Sequence, residues 1–91
     1  MRKEAEWMSR PADDQVLETL REKGTQTPKK LHENTGLAQN YAGERVRELA
    51  RYGLVDRIAR GVYIITDKGE SWLDEELDAG TLERREFGDE E

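Results

Sequence analysis

The chain contains no cysteine and a single histidine, His32. A disulfide framework is therefore excluded, and a zinc site of the usual Cys/His type nearly so. No cofactor is expected. Long apolar runs are missing as well: none approaches the roughly 18 residues that cross a bilayer, and Met1-Arg2-Lys3-Glu4-Ala5-Glu6 lacks the hydrophobic stretch of a secretory signal. A soluble, cytoplasmic protein with no membrane partner is the expectation. Ninety-one residues are too few for two cores, which excludes a two-domain enzyme. Large apolar side chains are scarce: nine Leu, four Val, three Ile and one Phe make up about 19% of the chain, a share at which disorder becomes a concern. The net charge of −6 is modest for this length, however, and the apolar residues come in periodic clusters, so one small core is expected to form.

What the sequence does hold is charge, unevenly placed. Residues 1–20 carry three cations against five acids, residues 21–60 nine against five, and residues 61–91 three against eleven. A protein whose overall sign opposes nucleic acid can still carry a local basic surface, and only the local field meets phosphates. The middle segment is the place to look. Ten of the fifteen cations are Arg, and an acid-rich, lysine-poor surface suits solubility in strong salt.

Local signals divide the chain further. Residues 1–9 hold Trp7 and Met8 without a periodic pattern and read as an N-terminal arm. Val16, Leu17 and Leu20 mark one stripe of a first helix from Pro11 to Lys23, with Asp13 and Asp14 in its first turn and Gly24 just past its end. Thr27 then caps a second helix that opens on Pro28 and runs to about Asn34. Gly36 stops it. A third helix starts at Ala38 or Gln39 and lasts to Tyr52, with Ala42, Val46, Leu49 and Ala50 on one stripe. Leu54–Ile58 and Val62–Ile65 are β-branched runs flanking Ala59-Arg60-Gly61, a hairpin signal. Thr66 resembles another cap, opening a fourth helix from Asp67 to about Asp78. From residue 80 to 91 the composition reads as an acidic flexible tail, leaving residues 10–79 as the domain.

Two helices joined by a tight glycine turn and followed by a hairpin have the order of a winged helix-turn-helix, an α+β fold with a three-helix core, a two-stranded wing and a C-terminal fourth helix. The residues Thr27-Pro28-Lys29-Lys30-Leu31, Thr35-Gly36-Leu37, Arg45-Val46-Arg47-Glu48-Leu49, Tyr52-Gly53-Leu54-Val55, Arg60-Gly61-Val62-Tyr63 and Ile65-Thr66-Asp67-Lys68-Gly69 carry a closer likeness. Over roughly residues 7–80 the chain resembles the small winged-helix transcription regulators of archaea, in particular the repressor-like proteins of halophilic archaea and their phages. That resemblance implies a repressor whose third helix enters the major groove with the wing beside it. Two residues depart from the pattern. His32 stands where a small residue normally lets the second helix pack on the third, and is expected to be partly buried. Gly43 replaces a small polar residue inside the third helix, at about 1 kcal/mol relative to Ala.

The residues themselves support a DNA surface independently. With Val46 pointing inward and 100° per residue, Ala42, Leu49, Ala50 and Gly53 fall within about 60° of it, while Asn40, Tyr41, Glu44, Arg47, Glu48 and Arg51 fall about 100° or more away. Asn reads adenine, Arg reads guanine or holds phosphate, and Tyr touches a thymine methyl. Gln39 joins the set at the helix start. Glu44 repels phosphate and needs a cytosine amino group or solvent. Thr27, Lys29 and Lys30 crowd the N-terminus of the second helix, where open N–H groups favour an anion. Arg57 and Arg60 flank the hairpin tip, Arg60 better placed for a minor groove or flanking phosphate. Tyr63 is expected in the core. The bland alternative for each is a cap or a solvated charge.

Asp74, Glu75, Glu76 and Asp78 have no nucleophile, histidine or phosphate loop beside them, so no catalytic or metal site is expected and the chain is not read as an enzyme. Trp7, Met8, Trp72, Leu77 and Leu82 exceed what an arm and a terminal helix need, which points to a twofold dimer. No small-molecule effector is inferred. The competing class is a winged-helix protein–protein interaction module in a larger complex; it would place apolar side chains on the outer face of the third helix. One consequence follows from composition. The melting temperature should rise between about 0.1 M and 2 M KCl as the Debye length falls from about 10 Å at 0.1 M to about 3 Å at 1 M, with a shallower salt slope for DNA binding than a basic winged helix shows. A melting temperature independent of KCl would contradict the high-salt reading.

Overall fold

The computed structural model describes residues 1–85. Its first helix, α1, spans Ala12–Lys23 and closes on Gly24, whose N–H donates to the Leu20 carbonyl at 2.9 Å. The second, α2, spans Pro28–Thr35; Thr27 Oγ1 accepts the Lys30 N–H at 3.2 Å and Pro28 fills the first helical position, where its missing donor is harmless. Gly36 then takes the left-handed conformation, φ 84°, which is unfavourable by roughly 1–2 kcal/mol for a residue with a Cβ. That single reversal turns the chain into α3, Gln39–Arg51. Strands β1, Val55–Ala59, and β2, Val62–Ile65, pair antiparallel with Val55 opposite Ile65 and Arg57 opposite Tyr63. Gly61, at φ 70°, makes the tip. Gln26 adds a rung by exchanging backbone hydrogen bonds with Tyr63 at 3.0 and 2.9 Å, tying the α1–α2 connection to the wing.

The core lies where one stripe of each helix meets the hairpin. Val16 and Leu17 of α1, Leu31 of α2, and Val46 and Leu49 of α3 have no solvent exposure, and each such burial contributes about 1.5–3 kcal/mol. Tyr63 sits in this core, as its alternation with Val62 and Ile64 suggests.

Four expectations are corrected. Residues 1–9 are not a free arm: the Lys3 carbonyl accepts from Trp72 Nε1 and from the Ala79 N–H, both at 3.0 Å, and Trp7 stacks on Tyr52 with ring centroids 3.7 Å apart. The fourth helix, α4, is Asp67–Leu73, shorter than the spacing of Trp72, Leu73 and Leu77 suggested. Glu75 adopts φ 66°, and the reversal returns the chain so that a 3₁₀ turn, Ala79–Thr81, lies beside Lys3. Residues 80–85 are pinned: Arg84 Nε donates to Glu48 at 3.0 Å, and the Arg85 N–H donates to the Arg51 carbonyl at 2.8 Å. The rest of the tail, residues 86–91, lies outside the described residues. Finally, His32 faces solvent, and its Nδ1–H donates to the Leu37 carbonyl at 2.7 Å, so it closes the helix-turn-helix reversal instead of separating α2 from α3.

Gly69 explains the end of the wing motif. A Cβ there would stand 2.2 Å from the Leu54 carbonyl oxygen and 2.6 Å from Ile65 Cγ1, a clash with backbone that no rotamer relieves. Gly69→Ala should therefore lower stability by about 2 kcal/mol or more, read as a lower urea midpoint. A midpoint equal to the wild type would contradict this packing of α4 on the hairpin.

Candidate nucleic-acid interface

A buried ion pair fixes α3 against α1. Asp13 has no solvent exposure, and Arg45 grips it with a fork: Nε donates to Oδ1 at 2.8 Å and Nη2 to Oδ2 at 2.9 Å. Nη2 also donates to the Trp7 carbonyl at 3.1 Å, while Asp13 Oδ2 accepts the Ser9 N–H at 3.0 Å. The hydrogen bond with Asp13 raises the Arg45 pKa above the ordinary guanidinium value, against the opposing effect of burial. Asp14, one residue on, performs the same office for the N-terminal segment. Burial pushes its carboxyl up, yet hydrogen bonds from Arg10 at 2.8 Å and Arg2 at 3.0 Å outweigh that and hold it below the usual carboxylate range. The sequence placed both aspartates in the first turn of the helix and named no partner for either. Arg45 could have been found, since it stands three residues after Ala42 and four before Leu49 and so flanks the buried stripe.

With α3 so held, its opposite side is open. Gln39, Asn40, Tyr41 and Glu44 are exposed at its first turns, and Lys29 and Lys30 are exposed at the start of α2. The two helices meet at Gly43. A Cβ on that residue would lie 3.6 Å from the Pro28 ring and 3.3 Å from Arg47 Nη1, so the glycine admits both the head of α2 and the Arg47 guanidinium. From there the surface continues into a groove of about 360 Å³ between α3 and the hairpin, lined by Arg47 and Ala50 on one side and by Arg57, Arg60 and Tyr63 on the other. Asp56 is the one carboxylate among the described residues that line it.

The structure thus brings together most of the residues singled out from sequence. Thr27 is occupied as a cap. Arg51, half-buried at the end of α3, is overlaid by the segment that carries Arg85. Arg85 also lines the groove and was missed, because two arginines in an acid-rich stretch read as tail; the signal was that Arg84 and Arg85 are the only cations after Lys68. The proposed pairing residues fare differently. Trp72 has no solvent exposure and lies beneath Arg10, whose guanidinium stands 5.2 Å from the ring centroid, so it has no face to offer a partner. Trp7 is engaged by Tyr52. Leu77 and Leu82 pack partly buried against the core, as does Met8.

Comparison with known proteins agrees with this geometry. A profile of the winged helix-turn-helix phage repressor family matches residues 1–85. The chain is similar to the PhiH1 repressor-like protein from Haloarcula marismortui, whose crystal structure superposes with a TM-score of 0.84 at 35% identity, over 92% of this chain and 97% of that one. Comparison with curated protein sequences gives no match.

The Asp13–Arg45 pair makes a direct prediction. Arg45→Met leaves a buried carboxylate unpaired and should destabilise the fold by about 3–5 kcal/mol, whereas Asp13→Leu combined with Arg45→Met should recover much of the loss. Additive losses in urea titrations of the single and double variants would contradict the pairing.

Proposed function

Because this chain belongs to the winged helix-turn-helix phage repressor family and so is a DNA-binding regulator, we propose that it reads duplex DNA sequence-specifically and acts as a repressor, with α3 in the major groove and the hairpin beside it. One observation supports this most: an unbroken surface from Lys29 and Lys30, past Gly43, along Asn40, Tyr41 and Glu44, to the arginines of the groove and the exposed Arg60 at the hairpin tip. The cations position the protein on phosphates, and the polar side chains of the first turns of α3 face the base edges. Asp67, Glu70, Asp74, Glu75 and Glu76, in α4 and the turn after it, are all exposed, and their sign steers that part of the protein away from an approaching duplex. The activity is binding rather than catalysis, exerted in the cytoplasm on the genome. Composition and the haloarchaeal source of the similar structure favour a high-salt setting.

A protein-binding module would present apolar side chains on α3. Among the described residues the exposed large apolar side chains are Met1, Tyr41, Ile58 and Ile64, and only Tyr41 belongs to that helix. The finer form of the reading adds a twofold dimer on two half-sites, supported now by Met8, Leu77 and Leu82 alone. A monomeric mass by light scattering at tens of micromolar would remove the dimer and leave DNA reading in place.

Selection of duplexes from random sequence, followed by titration of variants, tests the proposal. Asn40→Ala and Arg47→Ala should each weaken specific binding by about 1–3 kcal/mol and relax the preference at one base position. Unchanged affinity and unchanged selected sequence for both folded variants would overturn it.

A further inference from the structure

We propose that Gly43 is a positioning residue for DNA reading: its missing side chain leaves the space that seats the Arg47 guanidinium, so that one base contact depends on a residue that touches no base. This rests on the DNA reading above and adds a residue to it.

Two glycines stand inside the α-helices, Gly43 in α3 and Gly69 in α4, and their surroundings differ. At Gly69 a Cβ would meet the Leu54 carbonyl oxygen at 2.2 Å, so the fold itself requires the glycine. At Gly43, setting the backbone of α3 aside, the nearest atoms to a Cβ would be Pro28 Cβ and Cγ, both at 3.6 Å, and Arg47 Nη1 at 3.3 Å. The first two are ordinary van der Waals contacts. The third is tight, but it belongs to the far end of a flexible side chain. A methyl group therefore fits the fold and displaces only the guanidinium. Glycine at an inner helix position shifts the folding equilibrium roughly two- to fivefold against the native state relative to Ala. No close packing of Gly43 among the described residues offsets that loss.

Arg47 follows Gly43 by one helical turn, and helical side chains lean toward the N-terminus, so its side chain runs back over residue 43. The guanidinium is thereby seated one turn nearer to the exposed Asn40, Tyr41 and Glu44 than its own Cα is. Gly43 itself is buried, so a duplex meets the guanidinium rather than the glycine. A forked contact from arginine to the acceptor edge of guanine needs both donors at hydrogen-bond distance and in line with the base. A Cβ at residue 43 pushes Nη1 out of its seat or drives the side chain to another rotamer, and either change spoils the fork.

The test is a double-variant cycle of Gly43→Ala and Arg47→Ala, read by urea titration, by affinity for the selected duplex and by the sequence that each variant selects. Gly43→Ala should raise the folding constant about two- to fivefold and yet weaken the selected duplex about three- to tenfold, relaxing preference at the same base position that Arg47→Ala relaxes. In the Arg47→Ala background the same substitution should still stabilise the fold and cause no further loss of affinity. A lower folding constant for Gly43→Ala would make the glycine a packing residue and overturn the proposal. Unchanged affinity and preference would overturn it too, as would an equal loss in both backgrounds, which would mean that the duplex itself occupies the space. These three results leave the DNA reading standing, whereas wild-type protein that selects no duplex sequence overturns the reading and the proposal together.

Discussion

The pairing of Asp13 with Arg45 is the constraint on which the rest of the molecule depends. An ion pair with one partner wholly out of solvent contributes little net stability, since the desolvation of both charges offsets their attraction. It contributes orientation. Two nearly parallel hydrogen bonds of 2.8 and 2.9 Å admit one rotation of α3 about its own axis, and that rotation decides which side chains face outward. A core of Leu, Val and Ala alone would tolerate small rotations of the helix with little change in buried area. The same guanidinium reaches the Trp7 carbonyl, so the first residues of the chain are locked to the helix by the group that sets its angle.

Charge is partitioned around that constraint. Acidic side chains of α1 are engaged by Arg2, Arg10 and Arg45, while Lys29 and Lys30 of α2 and Arg60 at the hairpin tip stand exposed. A chain of net charge −6 thereby keeps a basic surface without becoming a basic protein. The arginine excess over lysine fits both uses, because a planar fork serves buried carboxylates and phosphates alike.

Much of this was legible in the sequence where local chemistry decides the outcome. Thr27 with Pro28, Gly36, and Thr66 each punctuate the chain through their own backbone preferences or side-chain oxygens, and the helices and strands begin or end where those residues stand. Alternation placed Tyr63 inside, and helical periodicity placed Asn40, Tyr41 and Glu44 outside. What escaped is long-range. Nothing local tells Arg45 that Asp13 lies across the core, or Arg85 that the last carbonyls of α3 need donors. Apolar spacing carried the fourth helix past Leu73 because Leu77 is in phase with it, but the packing of Ala79 beside Lys3 pulls the chain back through Glu75 instead. His32 misled for a related reason: its ring belongs to the turn it follows, not to the helix contact that sequence position suggested.

The most direct test of the account is to follow backbone amide resonances while a selected duplex is added. The largest changes are predicted at Lys29 and Lys30, along Gln39 to Glu44, and at Arg60, with the amides of α4 nearly unmoved. Changes concentrated on Asp67 to Leu73, with the first turns of α3 silent, would contradict the claim that the face held out by Asp13 and Arg45 is the one that meets DNA.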